Sequence, residues 1–265
     1  MPSTHTTIVD PDALSPDDRQ AFSRELYEAH GRIFAGVSFE AFERYVVAPS
    51  AVRRRIQVHR DHEGRIVGYV VLNVFEAEVE GKPCAVIRGA AGFLPEYRGR
   101  TLVGGFFVRE SLLTRLGYPG RPLYGLMCAT HPATYRMFSR YACEVWPHWE
   151  KPTPPGLGAL MKGLAARFGL EPAKSGREGV YHIGWQTLQD ETDQAFWQTD
   201  SDPATRFYVD HNPGYTEGEG FLILVPFSAE LWFRGIGRLI SRRITRARAR
   251  RASMGDPRDS ARANT

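Results

Sequence analysis

The chain has 265 residues, 42% hydrophobic and 24% charged, a composition that fits a folded domain with its own core and excludes a disordered protein. Its formal charge of +4 is unevenly placed: from Arg234 onward ten arginines face only Asp256 and Asp259, so the body holds 24 basic and 28 acidic residues and lacks the basic surface of a nucleic-acid enzyme. The three cysteines, Cys84, Cys128 and Cys143, have no metal-site spacing and read as reduced, buried thiols of a cytoplasmic protein, and no run approaches the roughly 20 apolar residues of a membrane span.

Residues 1–16 are polar and acidic with no apolar signal core, and read as a flexible leader. Pro16-Asp17-Asp18 starts a helix, and Phe22, Leu26, Ala29 and Ile33, then Phe39, Phe42 and Tyr45, recur at helical spacing, with Gly36 and Pro49 cutting the region into two short helices. Three strands follow, Arg54 to His59, Ile66 to Ala77 and Ala85 to Leu94, joined by turns at Asp61 to Gly64 and Gly81-Lys82-Pro83. Pro95-Glu96-Tyr97 turns the chain into a helix over Leu102 to Leu116, a strand over Leu123 to Ala129 and a helix over Pro132 to Tyr141. The proline-rich Pro147 to Pro155 marks a boundary. Beyond it the pattern gives a helix at Leu157 to Phe168, a strand at Val180 to Thr187, a helical or irregular stretch at Gln189 to Thr199, and strands at Thr205 to Asp210 and Phe221 to Phe227.

The segment with most chemical content is Ala85 to Gly105: an apolar strand, a basic glycine-containing loop (Arg98-Gly99-Arg100), then a helix. Unpaired amides and the dipole at a helix start favour an anion, glycine lets a phosphate come close, and arginine supplies charge-assisted hydrogen bonds. An ordinary strand-to-helix corner with solvated arginines satisfies the same pattern.

The element order and the run Phe93-Leu94-Pro95-Glu96-Tyr97-Arg98-Gly99 resemble the GCN5-related N-acetyltransferases, the GNAT superfamily. The resemblance covers roughly residues 17–146 and implies an α/β fold in which a mixed, mostly antiparallel sheet is flanked by helices. It makes residues 17–150 the core and 151–233 a C-terminal part that completes the sheet around an inserted helix and loop region, with 234–265 as a basic amphipathic helix and tail. It also implies that acyl-coenzyme A, the co-substrate, binds at Phe93, Leu94, Arg98, Gly99, Arg100, Thr101, Leu102 and Val103, its pyrophosphate cradled by Arg98, Arg100 and the amides from Gly99 to Val103, with no metal. Thr101 and Val103 stand where the family has small residues, so the cradle is more crowded here. Where the family has an Asn and then a Tyr near the sulfur, this chain has His131 and Phe138; Tyr135 and Tyr141 lie a helical turn either side of Phe138 and either could present a hydroxyl, or all three rings pack in the core.

Direct acyl transfer, which the resemblance implies, needs a base for the amine, N–H donors for the oxyanion, supplied by a splayed strand at the end of the Ala85 to Leu94 run, and a departing thiolate that is protonated or simply leaves. Glu76, Glu78 and Glu80 alternate onto one face and, with His131, are the candidate bases, unless the glutamates form a solvated face and the histidine caps a helix. Arg88, inside an apolar strand, requires a partner: one of these glutamates or an acidic acceptor. The implied function is an N-acyltransferase taking acyl groups from coenzyme A or an acyl carrier protein to a small or lipid-like amine; the alternative is a catalytically degenerate acyl-thioester-binding or interaction module, able to associate with a membrane through its basic C-terminal helix. Leu231, Trp232, Phe233, Ile236, Leu239, Ile240 and Ile244 share one helical face with arginines off it, so 234–251 fits an anionic membrane surface, an acidic carrier protein or the domain's own core.

Overall fold

The structure is a computed structural model that describes residues 4–79, 81–98, 103–142 and 144–227. The basic helix expected over 234–251, together with Glu80, Gly99 to Leu102 and Cys143, lies outside the described residues, and Val103 is described in its backbone alone.

The chain runs β1 (His5–Val9), α1 (Pro16–Gly31), β2 (Phe34–Ala35), α2 (Phe39–Phe42), β3 (Arg53–Arg60), β4 (Ile66–Val79), β5 (Lys82–Phe93), α3 (Val103–Gly117), β6 (Leu123–Ala129) and α4 (Pro132–Tyr141). It continues through α5 (Pro155–Arg167), β7 (Glu171–Pro172), β8 (Val180–His182), β9 (Gln186–Thr187), α6 (Glu191–Thr199), α7 (Pro203–His211) and β10 (Glu219–Pro226). Eight strands form one sheet in the order β1-β3-β4-β5-β6-β10-β8-β7, and every pair is antiparallel except β5 with β6. This is the mixed, mostly antiparallel sheet flanked by helices that the resemblance implies.

β4 is the central strand, buried without interruption from Ile66 to Val74, which requires cover on both faces. On one face α1 and the segment after α2 pack Leu26, Ala29, Ile33, Phe42 and Val46 onto Ile56, Tyr69 and Val71. Ser15 caps α1 by accepting the Asp18 N–H at 3.1 Å, with Pro16 in the first turn. α5 covers the rest of that face with Leu160, Met161 and Leu164 against Val86, Leu126 and Leu224.

Three elements differ from the sequence reading. The expected flexible leader contains β1, whose Thr6-Thr7-Ile8-Val9 pairs with β3 from His59 to Ile56; β-branched residues suit a sheet edge even when polar. The expected strand at Thr205 to Asp210 is the helix α7. Asp202 caps it, accepting from Ala204 N and Thr205 N, Pro203 occupies its first turn, and the buried Ala204, Thr205 and Tyr208 follow a helical stripe that the Thr-x-Phe-x-Val alternation masks. The expected strand at Val180 to Thr187 breaks at Gly184, which has φ +79°, while the amides of Ile183 and Gly184 both donate to the Gly218 carbonyl at 2.9 and 3.0 Å. β8 therefore stays in the main sheet, β9 pairs with β2, and Trp185 between them packs beneath α1.

α6 and α7 lie beside α4. Arg136 pairs with Asp200 at 2.6 Å, Arg140 with Asp202 at 2.6 Å, and the Tyr135 and Phe207 rings stack at 5.5 Å.

Candidate active site

The site originates where two neighbouring strands part. β5 and β6 pair from Ala85↔Leu123 to Arg88↔Leu126, and there the ladder ends. β5 nevertheless runs on to Phe93, still paired with Gly68 of β4, and β6 runs on to Ala129, still paired with Phe221 of β10. Each strand is held by its outer neighbour, so the sheet opens between them. Ala85 N–H donates toward β6, to the Pro122 carbonyl at 2.9 Å, and Leu94 N–H donates to Val67 of β4 at 3.0 Å. Alternation along the strand then turns the amides of Gly89, Ala91 and Phe93 into the gap. Backbone donors in such a position need a partner, and a ligand can supply it.

The sequence of this edge is Gly89-Ala90-Ala91-Gly92, and its smallness is structural. A Cβ on Gly92 would lie 2.5 Å from the Phe34 ring, and one on Gly89 would lie 3.1 Å from Leu72 and 3.3 Å from the Val71 carbonyl. The gap continues into a cavity of about 1060 Å³ that passes through the sheet. Phe34, Tyr45, Val71 and Trp185 line it on the α1 face, Phe107, Met137, Phe138 and Tyr141 on the α3–α4 face, and Arg98, His131, Gln189, Asp190 and Asp193 also border it. The volume slightly exceeds the range of ordinary small-ligand pockets, enough for an extended ligand and a second substrate.

The residues singled out from sequence fall in different places. Glu76 and Glu78 are exposed and sit opposite Ala85 and Pro83, at the closed end of β5. From Ala85 to Gly89 is already about 13 Å of strand, and neither glutamate lines the cavity. Glu76 instead meets Arg121 at 3.4 Å. The solvated-face reading thus describes both glutamates here.

Arg98 borders the cavity, yet its guanidinium is engaged: Nε donates to the Phe93 carbonyl at 3.2 Å, Nη2 to the Leu188 carbonyl at 2.8 Å, and Nη1 pairs with Asp193 at 3.2 Å. Phe93 lines the cavity and packs on His59, with ring centres 5.1 Å apart; Leu94 packs instead on the α1-side core. Gly99, Arg100, Thr101 and Leu102 lie outside the described residues, and α3 begins at Val103.

His131 is the N-cap of α4. Its Nδ1 accepts the Ala133 N–H at 3.2 Å, which places the proton on Nε2, 3.2 Å from Gln189 Oε1. Both nitrogens are used, and burial pushes the imidazole down to about 4, so the ring is neutral and holds α4 rather than waiting for a proton. Tyr135 is fully buried, its hydroxyl donates to the Pro147 carbonyl at 2.9 Å, and it does not face the cavity. Tyr141 does line the cavity and is half exposed, while Phe138 packs edge-on to Phe107 with ring centres 5.8 Å apart.

Sequence reasoning passed over Trp185, Gln189, Asp190 and Asp193, which reach the cavity only because the chain after β8 crosses back over α1 and α4. Asp190 caps α6 by accepting the Asp193 N–H at 2.7 Å; that Asp-x-x-Asp start was the one local signal available. Among the described residues no group of side chains could hold a metal ion, and no helix is long and apolar enough to cross a membrane.

The buried histidines give a pH dependence. His30 and His131 are both lowered from 6.5 to about 4 by burial. Their stabilisation is complete above the unfolded-state value near 6.5 and is lost as pH falls toward 4, by about 3 kcal/mol for each ring. His131→Asn keeps a side-chain acceptor for Ala133 N–H and removes that titration. Urea melts between pH 7 and pH 4 should show a shallower acid loss in the variant; an identical slope would contradict this placement of His131.

No family model and no curated protein matches the chain. Solved structures do align with about half of it. An acetyltransferase of Trypanosoma brucei aligns at 14% identity over 54% of this chain and 93% of its own, with a TM-score of 0.35. A GNAT family N-acetyltransferase of Escherichia coli, solved in complex with CoA, aligns at 18% identity over 52% and 69%, with a TM-score of 0.33. An aminoglycoside 6'-N-acetyltransferase of Acinetobacter baumannii aligns at 11% identity over 52% and 88%, with a TM-score of 0.35.

Proposed function

We propose that this chain is an N-acyltransferase that transfers an acyl group from a pantetheine thioester, that of acyl-coenzyme A or of an acyl carrier protein, to an amine. The observation that carries this reading is the parting of β5 from β6 after Arg88 and Leu126, with the amides of Gly89, Ala91 and Phe93 turned into a through-going cavity. A pantetheine arm is thin, extended and amide-bearing, so it can replace the missing strand pairing. The narrow edge Gly89 to Gly92 lets it approach the backbone.

In this reading the thioester carbonyl sits at the apex of the gap, where an amide of β5 holds the developing oxyanion. The amine enters from the α1 face past Tyr45 and Trp185. Its nitrogen attacks the carbonyl carbon, the C–S bond breaks, and the products are an amide and a free thiol. Asp193 is paired with Arg98 and also accepts from Trp197 Nε1 at 2.8 Å, so among the described cavity carboxylates Asp190 is the one to take the amine proton through water. Tyr141, the α4 tyrosine on the cavity, supplies a proton to the thiolate. On binding, the pyrophosphate takes Asp193's place on Arg98, at the entrance to α3.

Calorimetry with coenzyme A tests the reading. Micromolar to millimolar binding is expected, and Arg98→Ala should weaken it about 10- to 100-fold through loss of a charge-assisted contact. No heat at millimolar ligand would remove the reading, and an unchanged affinity in the variant would move the phosphate elsewhere.

A further inference from the structure

Arg88 is the last residue of β5 paired with β6, so it stands at the apex of the gap. It shares a strand face with Ala90 and Gly92, the face covered by α1 and by the Tyr45 segment. Its charge lies in an apolar strand, between Ile87 and Gly89, with poor compensation. Nη2 is 3.4 Å from the Tyr45 hydroxyl, and the guanidinium carbon stands 5.0 Å from the Tyr45 ring centre and 4.6 Å from that of Phe168. The Nε atom is buried with no hydrogen-bond partner. Asn73 lies directly opposite in register, but its Nδ2 is turned to the Tyr45 and Val46 carbonyls and its Oδ1 bonds nothing. Among the described residues no carboxylate is within ion-pair distance of Arg88; the nearby ionisable groups are Tyr45 and Cys128. Burial raises both, the thiol to about 12, so both are neutral and leave the arginine without a counter-charge.

A guanidinium has five donors in a fork shaped for a carboxylate, and burying one without an anion is costly. Tyr45 and Cys128, which flank it, both line the cavity, and the half-buried Arg88 stands behind them rather than in the lining, so an anion must pass the Tyr45 hydroxyl to reach the fork. We propose that Arg88 is a specificity residue that binds a carboxylate of the substrate at the apex of the gap, with the Tyr45 hydroxyl as a second donor. The carboxylate belongs either to the amine acceptor or to the acyl group of a dicarboxylic thioester. The assignment of these two sources rests on the acyltransferase reading; the carboxylate site itself does not.

The test has two arms on the full chain, each run with wild type, Arg88→Gln and Arg88→Lys. In the first, phenylacetate and its neutral isostere phenylacetamide are titrated calorimetrically without coenzyme. In the second, succinyl-coenzyme A is compared with acetyl-coenzyme A. The expected result is a preference of about tenfold or more for the carboxylate ligand in at least one arm, kept largely in Arg88→Lys and lost in Arg88→Gln. The arm that shows it names the source. No preference in either arm, or a preference that survives in folded Arg88→Gln, overturns the proposal; circular dichroism melts establish folding, and Arg88→Met, similar in length and uncharged, takes the place of Arg88→Gln with the same two outcomes if that variant fails to fold. Coenzyme A alone serves as the separate check. Binding of coenzyme A with no carboxylate preference sinks this proposal only, whereas phenylacetate preference without coenzyme binding sinks only the acyltransferase reading.

Discussion

Ala91→Trp is expected to abolish coenzyme A binding, with a loss of at least about 100-fold in affinity and little change in stability. Ala91 is exposed, lines the cavity and lies on the free stretch of β5, where its own amide turns into the gap. An indole there fills the space that the pantetheine arm would occupy, while the ladder to β4 through Val70 is untouched. Because the site is open, the large ring meets no packed neighbours, and overpacking strain stays small. Glu76→Gln is the matched control, since Glu76 stands at the closed end of the strand opposite Ala85. Calorimetry on the two variants should give loss for the first and wild-type affinity for the second. Retained affinity in a folded Ala91→Trp would mean that the ligand does not pass between β5 and β6.

The second large effect is on stability. Tyr208 of α7 is fully buried, and its hydroxyl donates to the Ala129 carbonyl at 2.9 Å and accepts from Asn212 Nδ2 at 3.1 Å. Its ring packs against Tyr135, Tyr215 and Phe221. Ala129 ends β6, so this contact fixes one wall of the gap from behind. Tyr208→Ala should cost about 3–5 kcal/mol, from the lost ring and the cavity it leaves. Tyr208→Phe should cost about 1–2 kcal/mol, because the Ala129 carbonyl then loses a donor while the packing remains. Urea unfolding of both variants measures this. Equal costs for the two would mean that the hydroxyl dominates; a cost below 1 kcal/mol for the alanine variant would mean that α7 does not brace β6 in solution.

The core of the sheet was legible because its signals are local. The turns at Gly64 and Gly81 carry positive φ, and the strand between them, β4, is largely apolar from Ile66 to Phe75. The parting of β5 and β6 was legible only through the resemblance, because nothing in the composition of Gly89 to Phe93 distinguishes a free strand edge from a paired one. Glu76 and Glu78 were placed by alternation, which fixes the face of a strand and says nothing of position along it; register put them far from the gap. His131 was seen as either a base or a cap, and the Ala133 N–H on its Nδ1 shows the cap. Beyond the Asp-x-x-Asp helix start, nothing local placed Trp185, Asp190 and Asp193 on the cavity, because their place depends on Gly184 breaking a run of strand-forming residues, so that β9 pairs with β2. α7 was misread for a related reason: Phe207, Tyr208 and Val209 have high strand propensity, and the Asp202-Pro203 cap, together with burial against Tyr135, overrides it.

The account stands on a ligand occupying the space between β5 and β6. Backbone amide chemical shifts recorded during titration with acetyl-coenzyme A report on that directly. The predicted result is that Gly89, Ala91 and Phe93 on β5, with Met127 to Thr130 at the end of β6, show the largest saturable changes, while Ala85 to Ile87 and the β4 glutamates Glu76 and Glu78 stay unmoved. Saturable changes confined to other elements, or none at millimolar ligand, would contradict it.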